Sequence, residues 1–153
     1  MTRNAQTKFL AECIDELRRA LDHLRFSANA CEKIADSQPD LSEEQLILVE
    51  AFTSRFARVT DLLVRKVLRA LDQVEWSESG TLLDVALRAE KRGLVDSVDW
   101  LREIKDLRNR ISHDYAGDQL PDIFAYCLAE LPKLESTCRK VDSYSRDLLA
   151  KHR

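Results

Sequence analysis

Apolar side chains recur along the start of the chain at the spacing of one helical face. Phe9, Leu10, Cys13, Ile14, Leu17, Leu21, Leu24, Ala28, Cys31 and Ile34 form a stripe that predicts a helix from about Thr7 to about Asp36. The stretch DSQPDLSEEQ interrupts it. Pro39 bars helix for Gln38, and Ser42 with Gln45 makes a capping box that opens the next helix, with Leu41 and Leu46 in hydrophobic-staple positions. That second helix, about Glu43 to Val74, carries Val49, Phe52, Phe56, Val59, Leu63, Val67 and Leu71, with Leu48, Leu62, Val64 and Leu68 beside them. A stripe this wide exceeds what one neighbouring helix needs, so the helix is either central in a bundle or has a second face that meets another chain; both are expected to contribute.

EWSESGT breaks the pattern, and a short helix follows from about Leu82 to Lys91, capped by Thr81 or Ser79 and closed by Gly93. Helix restarts at Asp96 or Ser97. Val98, Leu101, Ile104, Leu107 and Ile111 mark its buried side, and Gly117 is placed to terminate it. The last helix starts near Pro121 and runs to about Leu149 with Ile123, Phe124, Cys127, Leu128, Leu131, Leu134 and Cys138 inward. Pro132 inside this run is expected to kink or split it. Long helices joined by short loops predict an all-α, antiparallel bundle of four to five helices, with residues 1–153 as a single domain.

Composition agrees with long helices: three Gly, three Pro, 33% charged and 44% hydrophobic residues. The formal net charge of -3 argues against a protein held on nucleic acid by bulk charge, while leaving room for a local basic patch. The opening residues carry acids early and lack an apolar run of signal-peptide length, and no segment reaches the roughly 18 apolar residues of a membrane span, so a soluble, cytoplasmic chain is expected. Cys13 and Cys31 are 18 residues apart, and Cys127 and Cys138 are 11 apart. On continuous helices neither pair can bridge, and neither has zinc-ligand spacing; buried thiols in a reducing compartment are expected, with no metal.

His23 sits among charges on an amphipathic helix and His152 near the chain end, neither with a partner nearby in sequence. No phosphate-cradling Gly-rich loop, GxSxG elbow or HExxH occurs. The runs RAEKR (88–92) and RKVDSYSRD (139–147) mix signs at helical spacing and read as solvated faces with i,i+4 pairs. Trp76 and Trp100 lie at the edges of apolar stripes and read as anchors of the core or of an interface.

One stretch departs from this plain scaffold. Leading into LRNRISHDYAG (107–117), Arg102, Lys105, Arg108 and Arg110 put four cations into the nine residues 102–110, against Glu103 and Asp106. With about 100° per residue, Arg108 and Tyr115 would share a face on a continuous helix while His113 points well away from both. Arg108 also falls on the side of Ile104 and Ile111. A guanidinium there needs a buried carboxylate, a polar cleft, or a subunit boundary that a ligand can reach. An Arg–Asp pair tying two helices together, with Tyr115 packing at the helix end and His113 exposed, would satisfy the same residues.

Arg108, four residues, His113, one residue and Tyr115 resemble the R-x4-H-x-Y signature of HEPN-domain proteins, and most nearly that of the HepT-like toxins encoded beside a minimal nucleotidyltransferase. Asn109 fits a signature in which a polar residue commonly follows the arginine. The resemblance implies a homodimeric, metal-independent endoribonuclease, the toxin of a type VII-like HEPN/MNT toxin–antitoxin pair. It implies RNA as substrate, no cofactor, and no membrane or DNA partner. His113 would be the general acid/base, Arg108 would bind and stabilise the phosphate, and Asn109 would orient the site. Tyr115 would be the residue that the cognate nucleotidyltransferase antitoxin modifies with AMP. The alternative is a non-catalytic helical subunit that presents substrate to, or regulates, a nucleotidyltransferase.

Overall fold

Side-chain caps set most helix starts in the computed structural model, which describes residues 2–34, 40–76, 80–114 and 117–152. Thr2 accepts a hydrogen bond from the Ala5 amide and starts α1 (Arg3–Ala30) about a turn earlier than the apolar stripe alone indicates. Cys31 to Ile34 leave α1 as a tighter turn closed by the Ile34 amide on the Cys31 carbonyl, yet both side chains stay in the core. Asp36, Gln38 and Pro39 lie outside the described residues. Ser42 and Gln45 form the expected reciprocal capping box at the start of α2 (Glu43–Asp61).

Helix α2 continues without a break through a π-helical turn (Leu62–Val67) into α3 (Leu68–Trp76). The sequence holds the reason. From Val59 the inward positions run Leu63, Val67, Leu71, each four residues on, and a plain α-helix would rotate such a stripe off the core by about 40° per step. Widening the turn to i→i+5 bonds, as in the Leu68 amide donating to the Leu63 carbonyl, takes up that drift. Val59, Leu63, Val64, Val67, Leu68 and Leu71 all remain buried. The wide stripe is thereby consumed largely within the chain: this rod packs on α1, α5 and α6.

Thr81 and Asp84 make a second capping box for α4 (Leu82–Lys91). Gly93, at φ +77°, closes that helix in a Schellman arrangement, with the Gly93 amide on Glu90 and the Leu94 amide on Ala89. Ser97 caps α5 (Val98–His113). The last helix, α6 (Leu120–Lys151), is not split at Pro132. Pro132 is exposed, so the Leu128 carbonyl that loses its donor faces the wetter side of the helix.

Contacts between helices fix the topology as five helical rods with no strand among the described residues. On α1 and the rod, Arg55 donates to Ser27 and Lys66 to Glu16, an antiparallel register. Arg25 pairs with Glu135, and Arg18 lies 3.6 Å from Asp142, so α6 is also antiparallel to α1. Trp100, buried as expected of an anchor, donates its indole N–H to Glu130 at 2.8 Å and joins α5 to α6. Phe52 of α2 meets Phe124 of α6 edge to face, with 5.7 Å between centroids. All four cysteines are buried free thiols, and burial pushes Cys138 up to about 12 and raises the other three. No helix is long and apolar enough to cross a membrane among the described residues.

The run 88–92 is not a solvated face. Asp72 of α3 is 1% exposed, and Arg88 and Arg92 turn inward to meet it. Arg92 Nη1 lies 2.8 Å from Asp72 Oδ1, close enough to pair in charge though not aligned as a hydrogen bond, while its Nε donates to Glu75 at 2.9 Å. The Tyr144 hydroxyl donates to the same Glu75 at 2.6 Å, and the Arg92 guanidinium lies 4.3 Å from the Trp76 ring centroid. The 139–147 run keeps one expected i,i+4 pair, Arg146 with Asp142. Arg92→Met should cost about 1–3 kcal/mol, because it leaves the buried Asp72 carboxylate to Arg88 alone and takes the guanidinium from Glu75, and adding Asp72→Asn should recover part of that loss. Urea denaturation measures both; an Arg92→Met protein as stable as the parent would show that the cluster does not hold α4 to α3.

Candidate functional site

The end of α5 reaches the side of the bundle where α2 passes into its π-helical turn. Leu101, Ile104 and Leu107 fix α5 on the core, which places Arg108 against Asp61, the last residue of α2. The contact is bidentate: Nε donates to Oδ1 and Nη2 to Oδ2, both at 2.8 Å. Nη1 donates to the Ser112 hydroxyl one turn on, at 2.9 Å. Hydrogen bonding to the Asp61 carboxylate raises the Arg108 pKa above its already high value, so the guanidinium stays charged at every accessible pH. Asp61 also lies 3.8 Å from Arg65.

The pair is not sealed. The Arg108 side chain keeps 23% of its surface exposed and Asp61 keeps 33%. On one side it forms the wall of an open groove of about 570 Å³ between α2, α5 and the start of α6. Arg58, Ser54 and Glu50 of α2 line the groove, with Ser112, Asp114 and Gly117 at its end. Of the environments anticipated for Arg108, the polar cleft is present, and the carboxylate partner is present but half-buried rather than buried. The helix-tying Arg–Asp pair is present as well, joining α2 to α5.

The other expected site residues divide. Asn109 is half-buried beside Arg108. His113 is exposed at the C-terminal end of α5 and does not line the groove, although its neighbours Ser112 and Asp114 do. Gly117 does not end α5. The helix stops at His113, where Asp114 leaves helical geometry at φ -85°, ψ 66°, and Gly117, at φ +74°, belongs to the turn leading into α6. The face-sharing expected of Arg108 and Tyr115 presumed a helix continuing through Asp114; Tyr115 itself lies outside the described residues. Arg110 points elsewhere, its guanidinium 5.3 Å from the Tyr126 ring centroid.

Sequence reasoning called for a carboxylate partner but did not find Asp61, 47 residues away. One signal was available: Asp61 is an acid between the inward Val59 and Leu63, beside a stripe that has no other use for it. In a double-mutant cycle on Asp61→Ala and Arg108→Ala, the coupling should be about 1–2 kcal/mol, between the values of exposed and buried ion pairs. A coupling near zero in chemical denaturation would show that the pair does not hold α5 on α2.

The chain matches no protein-family model, no curated protein and no solved structure, so the functional reading rests on these residues and their geometry.

Proposed function

We propose that this chain is a HEPN-type toxin: a homodimeric, metal-independent endoribonuclease neutralised by a cognate minimal nucleotidyltransferase. The observation that carries the reading is Arg108, a permanently charged guanidinium oriented by Asp61 and Ser112 and still exposed at the wall of an open groove, with His113 five residues on at the end of the same helix.

Metal-free RNA cleavage needs little more than these groups. The substrate's 2'-hydroxyl attacks the adjacent phosphorus, a base takes its proton, the bond from phosphorus to the 5'-oxygen breaks, and an acid protonates that oxygen. The products are a 2',3'-cyclic phosphate and a 5'-hydroxyl. Imidazole suits both proton steps near neutral pH, and a guanidinium stabilises charge on the phosphorane. One chain supplies one motif histidine, and His113 lies outside the groove that Arg108 lines. A symmetric dimer that brings two α5 ends together would supply two histidines and two arginines to a shared cleft, with Asn109 orienting the site. An AMP group on Tyr115 would put an anion and bulk beside that cleft, and so exclude the RNA phosphate.

A second reading has an observation of its own. Asp61 already occupies two N–H groups of Arg108, as befits a recognition or scaffold residue in a non-catalytic subunit that presents substrate to, or regulates, a nucleotidyltransferase.

Purified His113→Ala should lose about 10²–10⁴-fold in RNA cleavage while keeping its helical circular dichroism, since the side chain lies at the exposed end of α5 rather than in the core. A variant as active on RNA and as toxic on expression as the parent would reject catalysis and leave the second reading. Co-expression with the partner nucleotidyltransferase should add the mass of one AMP to the peptide containing Tyr115. An unmodified peptide from neutralised cells would overturn that mode of control.

A further inference from the structure

Arg108 has a second side. Behind the Asp61 pair, away from the groove, lies a smaller pocket of about 140 Å³ bounded by Arg65, Arg69, Lys105 and Arg108, with Leu82 at its edge. Its one lining carboxylate is Asp61, so four cations face a single negative charge. Two of the cations come from α5, one from the π-helical turn and one from α3. None of the three besides Arg108 is fully committed. Arg65 lies 3.8 Å from an Asp61 oxygen that already accepts from Arg108. Arg69 donates one N–H to the Gly80 carbonyl at 2.8 Å, and neither it nor Lys105 pairs with a carboxylate among the described residues. Arg69 and Lys105 are both half-buried.

Excess positive charge gathered in a partly dehydrated recess attracts anions strongly, and here it occurs on a chain whose net charge is -3. The volume is well under the roughly 300–1,000 Å³ of pockets that enclose a whole small ligand, and so suits one compact ionic group. Three guanidinium groups and an ammonium match the several oxygens of a phosphate. Because Arg108 lines both cavities, an anion held here lies next to whatever Arg108 contacts in the groove.

We propose that this pocket is a phosphate-binding subsite for single-stranded RNA, which holds a backbone phosphate flanking the one presented to Arg108. The proposal rests on the ribonuclease reading for the identity of the ligand; the pocket's preference for an anion does not. Arg65→Gln with Lys105→Gln removes two of the cations while leaving the Asp61–Arg108 pair and the Arg69–Gly80 bond in place.

The test has two arms. Short 2'-O-methylated single-stranded RNA, which lacks the attacking hydroxyl, is titrated by fluorescence anisotropy at several salt concentrations. The double variant should bind more weakly, and the slope of log affinity against log salt should shrink by about 0.7, the value for one single-strand phosphate contact. In the second arm, inorganic phosphate is titrated into ¹⁵N-labelled protein; amides of residues 61–69 and 101–108 should shift in the parent and not in the variant. Phosphate-induced shifts with an unchanged RNA slope would overturn the RNA assignment in favour of a free anion. Absence of both effects would overturn the pocket, and cleavage that still depends on His113 would then show the ribonuclease reading intact. A parent chain that binds phosphate but neither binds nor cuts RNA would sink that reading and the RNA assignment with it.

Discussion

The bidentate bond between Arg108 and Asp61 is the constraint on which this side of the molecule depends. An arginine on the inward side of α5 cannot be left unpaired against the core, and Asp61 meets it at the one place where α2 changes its winding. The π-helical turn that follows Asp61 keeps the apolar stripe of the rod inward and turns Arg65 and Arg69 toward the same pocket as Lys105. Packing and charge are thus satisfied by one local adjustment. If the rod kept α-helical winding, the stripe after Val59 would rotate off the core, and the cations beyond it would rotate as well.

A second ionic cluster shows what the first is not. Asp72, Arg92 and Glu75 are held between α3 and α4 with the Arg92 side chain only 5% exposed, under Trp76 and beside Tyr144. Nothing from solvent reaches that guanidinium face, and its work is to hold α4 on the rod. Arg108 makes an equally specific carboxylate contact but is left open on two sides. Proteins bury ion pairs to fix one arrangement of helices. An oriented arginine that also borders two cavities has surface left over for a ligand.

How much of this could be read from the residues follows from what helical spacing encodes. The caps at Ser42, Thr81 and Ser97 and the stop at Gly93 are local chemistry settled within a few residues: Ser42 and Gly93 lie where the pattern placed them, and Thr81 and Ser97 are each one of the two positions it allowed. Inwardness was legible too, since Phe52, Phe56, Ile104, Phe124 and Leu134 are all fully buried. What faces them across the bundle was not. The run 88–92 looked solvated because its alternating signs can pair along one helix, but Asp72, 16 residues away from Arg88, offers a buried alternative that no local pattern reveals. Pro132 does not split α6, because the packing of Leu131 and Leu134 against the core outweighs one missing bond. Gly117 was read as the end of α5 on residue type, whereas Asp114 had already left the helix.

The two cavities that meet at Arg108 have opposite electrostatic character, and that difference gives the proposed site a direction. The groove wall combines Arg58 and Arg108 with Glu50, Asp61 and Asp114, so it offers hydroxyls and mixed charge rather than a positive field. The smaller pocket offers four cations to one acid. On the proposed reading, a polyanion approaching this end of the bundle would be drawn to the pocket rather than along the groove. Ser54 and Ser112 add hydroxyls to the groove that can donate and accept hydrogen bonds. On that reading, the local placement of a few charges, rather than the balance of the whole chain, would let an acidic protein serve as a nuclease.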